Sequence, residues 1–123
     1  MKLFENEARQ GDIEINRVAS IPKGAKKANT LTIAHGEVTG HSHRLVEPEE
    51  ALPNGLQPVD LSKVDVLVDE TGLMYVALKD KQAVTLKHDE HGPVTLTGPG
   101  TFCFTRQREY DENEREKERK VRD

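Results

Sequence analysis

The sequence predicts a single small all-β domain, and three observations lead to this fold class. At least five short segments alternate apolar and polar residues with the period of two that is typical of half-buried strands. Turn residues separate these segments, and none carries the sustained apolar stripe of a helix. The composition agrees, because a chain of 123 residues that is 34% hydrophobic, with three Phe, two Tyr and no Trp, must build its core from Val, Leu and Ile.

The first predicted strands follow a polar segment, residues 1–11, which we expect to be a loose lead-in. Residues 12–18 alternate, and after a solvated connection at 25–29 the alternation returns over 30–35. Gly36 and Gly40 then bracket a turn or bulge, since glycine adopts backbone conformations that other residues avoid.

The next strand carries His41, His43 and Leu45 on one face, because residues two apart in a strand point the same way. It leads into residues 46–63, which contain three prolines and the turn-forming pair Asn54-Gly55. This segment is long for a loop in a small domain, so we expect a lid or a partner-binding loop.

In the second half of the domain, the alternating pattern predicts further short strands at residues 64–68, 73–78, 83–88, 94–96 and 101–105. His88 shares the face of Val84 and Leu86, and so extends an apolar row. We place the domain at residues 12–110. The charged tail, residues 111–123, has no stripe to bury and is expected to be a frayed helix or disordered.

Charge and cysteine content exclude several classes of protein. The net charge of −4 is spread over both signs with no basic stripe, which argues against nucleic-acid binding. No apolar run is long enough to span a membrane, and residues 1–7 lack the apolar centre of a signal peptide. The single cysteine, Cys103, fits a reducing cytoplasm and is expected to be a small buried packing residue.

Four of the five histidines lie in two short segments, at positions 41 and 43 and at 88 and 91. Neutral imidazole binds transition metals, and a strand-borne His-x-His pair suits two ligands of one ion. His88 and His91 can join the same site only if Asp89-Glu90 forms a turn. The pattern predicts a pocket for Zn, Mn, Fe or Ni, with Glu47 as a further ligand. The alternative is that these histidines are hydrogen-bonded or exposed residues at the mouth of the fold.

These motifs resemble those of the cupins. The segment Gly36-x4-His41-x-His43-x3-Glu47, with Gly55 further on, is similar to the first cupin motif, although each glycine spacing differs by one. The resemblance implies a small cupin-like barrel or β-clip in which His41, His43 and Glu47 hold a metal. Gly92, Pro99 and Gly100 are similar to the second motif, but Cys103 stands nearest the expected histidine. The fourth ligand is therefore His88, His91 or Cys103. The same segments also resemble small bacterial proteins without an assigned activity.

Arg106 and Arg108 continue the predicted face of Phe102 and Phe104. At a pocket mouth they would bind a carboxylate or phosphate of a substrate, and at a strand end they would form surface ion pairs.

Two functional hypotheses follow, and neither specifies a reaction or catalytic residues. The first is a metal or small-molecule pocket built from the histidines. The second is an accessory protein that docks a protein partner through residues 46–63 or the tail. We also expect a homodimer, because open sheet edges in small proteins often pair.

Overall fold

The computed structural model describes residues 7–35 and 42–106, and in these residues the chain is all-β. The strands are β1 Glu7–Gln10, β2 Ile13–Val18, β3 Lys26–Ala28, β4 Thr32–His35, β5 Ser42–Val46, β6 Gln57–Pro58, β7 Val66–Val68, β8 Met74–Leu78, β9 Gln82–Lys87, β10 Val94–Thr97 and β11 Gly100–Arg106. A short 3₁₀ turn covers Leu61–Lys63. The prediction of an all-β domain is confirmed.

The strands form two sheets. The first, which we call the large sheet, has the order β1-β2-β11-β8-β7-β3. The second, the small sheet, has the order β10-β9-β5-β4, and β6 pairs with β9 in parallel. Neighbouring strands are otherwise antiparallel, and the described strands do not close into a barrel. The architecture is a two-layer sandwich.

The core lies between the sheets and follows from the alternation in the sequence. The buried cluster is entirely apolar and draws on both layers: Ile13, Ile15, Ile33, Leu45, Val59, Val66, Val76, Leu78, Val84, Leu86, Val94, Leu96, Phe102 and Phe104. Phe104 lies opposite Ile15 in the large sheet, and Leu45 lies opposite Leu86 in the small sheet. Cys103 is buried, as predicted, and lies on the opposite face of β11 from the two phenylalanines.

Strand β1 lies within the segment that was predicted to be a loose lead-in. It forms a hairpin with β2 in which Gln10 lies opposite Ile13. The tight turn is possible because Gly11 has a φ of +58°, a left-handed conformation that glycine adopts without strain. The inward residues of β1 are Ala8 and Gln10, and the glutamine hides the alternation of this strand in the sequence.

Residues 47–59 run along the small sheet. The backbone N–H groups of Gln57 and Val59 donate to the carbonyls of Lys81 and Ala83, and Val59 is buried in the core. The irregular course of this segment was expected, but its pairing with β9 was not, and its role as a lid or partner-binding loop stays a prediction. No helix among the described residues has the length and apolar character that crossing a bilayer requires.

Candidate functional site

A buried glutamine organises the polar end of the sandwich. Gln10 is only 2% exposed, and its amide nitrogen donates to the carbonyls of Leu86, at 2.7 Å, and Gly92, at 2.9 Å. These bonds link β1 of the large sheet to β9 and the loop after it in the small sheet. Because the amide nitrogen is used in this way, the Oε1 of Gln10 is directed toward His43.

His43 is 3% exposed and is more buried than His88 or His91. Its Nδ1 donates to Gln10 Oε1 at 2.9 Å, and its Nε2 lies 3.1 Å from Asp12 Oδ1. Burial lowers the pKa of His43 below its ordinary value, the Asp12 carboxylate offsets part of this, and His88 and His91 add to the lowering. Both ring nitrogens of His43 thus face side-chain oxygens of the protein.

Asp12 connects His43 to the end of the last strand. Arg106 Nε donates to Asp12 Oδ2 at 2.9 Å. Burial would raise the pKa of Asp12, but the hydrogen bonds from Arg106 and His43 and the charge of Arg106 outweigh it, so the pKa lies below its ordinary value. Arg106 is therefore placed at this end of the sandwich, where its Nε is bonded to a carboxylate.

The rings of three described histidines, His43, His88 and His91, pack on one another in tilted contacts, and we call this group the histidine stack. The ring centroid of His88 lies 4.4 Å from that of His43 and 4.8 Å from that of His91. The turn expected at Asp89-Glu90 is present: the backbone N–H of Glu90 donates to His88 Nδ1 at 3.0 Å. A neutral imidazole whose Nδ1 accepts carries its proton on Nε2.

The β1–β2 turn lies directly against the ring of His91. A methyl group at Gly11 would lie 2.7 Å from Cδ2 and Nε2 of His91. We expect Gly11→Ala to displace this ring and to lower the free energy of unfolding by about 1–2 kcal/mol through its positive φ. The measurement is urea denaturation, together with NMR of the His88 and His91 Hε1–Cε1 signals.

Gly55→Ala is the matched control, because Gly55 has a φ of +72° and no atom within 4 Å of the added carbon. Gly55→Ala should lower the free energy of unfolding by a similar amount, because its φ is also positive, and it should leave the NMR signals of His88 and His91 unchanged. Equal histidine shifts in the two variants would contradict the packing described for His91.

On its outer face the small sheet carries a cross-strand row of Val46, Thr85 and Thr95. Val46 lies opposite Thr85, and Thr85 lies opposite Thr95. The parity of β9 turns Val84 and Leu86 into the core and Thr85 and Lys87 away from it. Both threonines are nevertheless buried, Thr85 at 6% and Thr95 at 2% exposed, so they do not face bulk water.

Above this row lies a cavity of about 200 Å³. Its walls are mainly apolar, and its rim carries charged side chains. The lining residues are Val46, Glu49, Glu50, Thr85, Lys87, His88, Pro93 and Thr95. Lys87 Nζ donates to Glu49 Oε1 at 2.9 Å, and this bond holds the pKa of Glu49 below its ordinary value. His88 belongs to both the histidine stack and the cavity wall.

The two threonine hydroxyls on the cavity floor form one hydrogen bond with each other, at 2.7 Å. One hydroxyl donates and the other accepts, so the proton of the accepting hydroxyl is not used in this bond. Within residues 7–35 and 42–106, neither hydroxyl has another hydrogen-bond partner. A buried hydroxyl proton without an acceptor costs free energy, so the floor is suited to a polar atom of a ligand.

The family model that matches the chain is described as a domain of unknown function (DUF8820), and the match covers residues 9–107. The chain belongs to this family. The matched range includes Gln10, Arg106 and every residue that lines the cavity. No curated protein and no solved structure matches the chain. The resemblance to cupins stays a prediction.

The described histidines His43 and His88 make hydrogen bonds to protein atoms in the structure. A metal needs the lone pair of a neutral imidazole nitrogen, but both nitrogens of His43 face protein oxygens and Nδ1 of His88 accepts from Glu90. Among the described residues, no group of three or more His, Cys, Asp or Glu side chains could hold a metal ion.

The remaining predicted site residues lie apart from these contacts or outside the description. Glu47 is exposed immediately after β5. His41, Arg108 and the tail at 111–123 lie outside the described residues. Metal binding that includes His41, and partner docking through the tail, stay predictions.

Sequence reasoning missed Gln10, Asp12 and the threonine row. The signal for the threonines was available, because Thr85 and Thr95 stand at the centres of the two strands of one hairpin. Glu49 and Glu50, which line the cavity with these threonines, belong to the segment after β5, whose course along the sheet the local sequence pattern does not specify.

Proposed function

We propose that the protein binds a small molecule in the cavity on the outer face of the small sheet. The observation that carries this proposal is the buried Thr85–Thr95 hydroxyl pair, which retains one proton for a polar atom of a ligand. The apolar wall formed by Val46 and Pro93 would contact the body of the ligand.

The volume limits the size of this ligand. A cavity of about 150 Å³ in another protein accommodates benzene. The cavity here, about 200 Å³, therefore takes a ligand of about eight non-hydrogen atoms. Ligands of this size gain limited binding energy, so we expect dissociation constants in the millimolar to high micromolar range.

The histidine stack supports the cavity from the side. His88 lines the cavity and packs on His43, which is fixed in turn by Gln10 and Asp12. A wall residue held by buried neighbours keeps its position when the cavity is empty, and this lowers the cost of ordering the site on binding.

The test is a titration with hexanamide, an eight-atom probe that has an apolar chain and one amide, followed by methyl NMR. We expect saturable binding to the unaltered protein. Thr85→Val/Thr95→Val should weaken it about fivefold, since it removes both hydroxyls and one hydrogen bond to the ligand contributes about 1 kcal/mol. Each valine keeps the volume of its side chain and removes only the hydroxyl.

Thr97→Val is the matched control on the same strand as Thr95, because Thr97 does not line the cavity. It should leave the dissociation constant of hexanamide unchanged. Absence of saturable binding, or equal weakening by the two variants, would overturn the proposal.

A further inference from the structure

The two threonines on the cavity floor can offer a ligand more than one hydrogen bond. Thr85 and Thr95 lie opposite each other in the β9–β10 hairpin, and both line the cavity. They are buried, and their hydroxyl oxygens lie 2.7 Å apart. Each hydroxyl has one proton and two lone pairs, and their mutual bond uses one proton and one lone pair. One proton and three lone pairs remain for a ligand.

The direction of the bond between the two hydroxyls is interchangeable, since either oxygen can be the donor. The oxygen that accepts from its partner keeps its own proton for an acceptor atom of the ligand. The other oxygen has spent its proton but keeps two lone pairs, so it can accept from a donor atom of the ligand. The pair therefore presents one donor and one acceptor side by side.

A ligand group matches this pair when it carries an acceptor and a donor at a similar spacing. In a primary amide the oxygen and the nitrogen are about 2.2 Å apart, as the amide bond lengths require, and one N–H lies on the same side as the carbonyl oxygen. Two hydrogen bonds to the threonine oxygens can then run side by side. A ketone has no donor. An ionised carboxylate has no donor either, and it would be desolvated next to Val46 and Pro93.

We propose that the ligand of this cavity is a primary carboxamide on a short apolar body, held by two hydrogen bonds to the Thr85–Thr95 pair. One threonine hydroxyl donates to the amide oxygen, and the amide nitrogen donates to the other hydroxyl. This inference rests on the proposed function and specifies the chemical class of its ligand.

The experiment compares three probes of equal size and nearly equal shape: hexanamide, 2-heptanone and hexanoate. The ketone has a methyl group in place of the amino group, and hexanoate has a charged oxygen there. We expect hexanamide to bind about fivefold more tightly than 2-heptanone, because the ketone makes one hydrogen bond fewer. Hexanoate should bind most weakly, because its charge loses water on entering the cavity.

Single substitutions separate the two hydrogen bonds. In Thr85→Val or Thr95→Val the remaining hydroxyl can donate to the ligand carbonyl, but it cannot also accept from the amide nitrogen with good geometry. Each variant should weaken hexanamide about fivefold and leave the dissociation constant of 2-heptanone unchanged. Unchanged binding of 2-heptanone also shows that the cavity of the variant is intact. Thr97→Val should change neither constant, since Thr97 does not line the cavity.

The double variant Thr85→Val/Thr95→Val measures both bonds together. Its effect on hexanamide should be about 25-fold, fivefold for each bond, rather than the fivefold that the donated bond alone gives. For 2-heptanone, which makes only that bond, the loss should be about fivefold.

The outcomes separate this inference from the proposed function. Equal binding of hexanamide and 2-heptanone, single substitutions that weaken both probes equally, or tightest binding by hexanoate would overturn the carboxamide assignment and leave the cavity as a binding site. Saturable binding by none of the three probes would overturn both.

Discussion

Replacing Gln10 with leucine should lower the free energy of unfolding by about 3 kcal/mol. The leucine keeps most of the buried volume but removes the donor that Gln10 supplies to the carbonyls of Leu86 and Gly92 and the acceptor that it supplies to His43 Nδ1. Each buried polar group that loses its partner costs about 1–3 kcal/mol. Urea denaturation followed by circular dichroism measures the change.

Gln57→Leu is the control for this prediction, because Gln57 is exposed in β6 and its contact with β9 is made by the backbone. It should change the free energy of unfolding by less than about 0.5 kcal/mol. Gln10→Glu should be as harmful as Gln10→Leu, since a carboxylate cannot donate to the two carbonyls. A small effect of both Gln10 variants would show that this side chain does not connect the sheets.

Gly98→Ala should be the most destabilising glycine substitution in the described chain, with a loss of about 3 kcal/mol or more. Gly98 lies where the chain passes from β10 of the small sheet to β11 of the large sheet. An added methyl would collide with the carbonyl oxygen of Lys79, and it would lie 2.8 Å and 2.9 Å from the carbonyl carbons of Lys79 and Leu78. These are backbone atoms, so the turn after β8 must move.

Gly92→Ala controls for the loss of glycine flexibility, since nothing lies within 4 Å of its added carbon. Its free energy of unfolding should lie within about 1 kcal/mol of that of the unaltered protein. If Gly98→Ala does not fold, its circular dichroism will show no cooperative thermal transition, whereas that of Gly92→Ala will show one. Similar stability of the two variants would contradict the close approach at Gly98.

The main strands were predictable because their side-chain pattern is simple. β2, β9 and β11 alternate clearly, and Phe102 and Phe104 face the core as expected. β1, β3 and β6 were not predicted. β1 buries a glutamine, β3 has two exposed lysines in the segment that was expected to be a solvated connection, and β6 is a pair of exposed residues, Gln57 and Pro58. A local pattern identifies a strand only when its buried side chains are apolar.

The candidate site was predictable only in part. Proximity of His43, His88 and His91 followed from strand parity and the expected turn, and the structure brings their rings together. The hydrogen-bond partners of these histidines were not predictable, because Gln10 and Asp12 reach them from a hairpin that is distant in sequence from β5 and β9. Which nitrogen of an imidazole is occupied depends on such tertiary contacts.

The most direct test of small-molecule binding is an isotope-filtered NOE experiment on methyl-labelled protein saturated with hexanamide. The cavity predicts NOEs from the probe to the methyl groups of Val46, Thr85 and Thr95, which form one row on the outer face of the small sheet. Val66 and Val76 lie in the core between the sheets and should show none. NOEs to these core valines, or to methyl groups elsewhere without those of the threonines, would contradict the assignment of the cavity as the binding site.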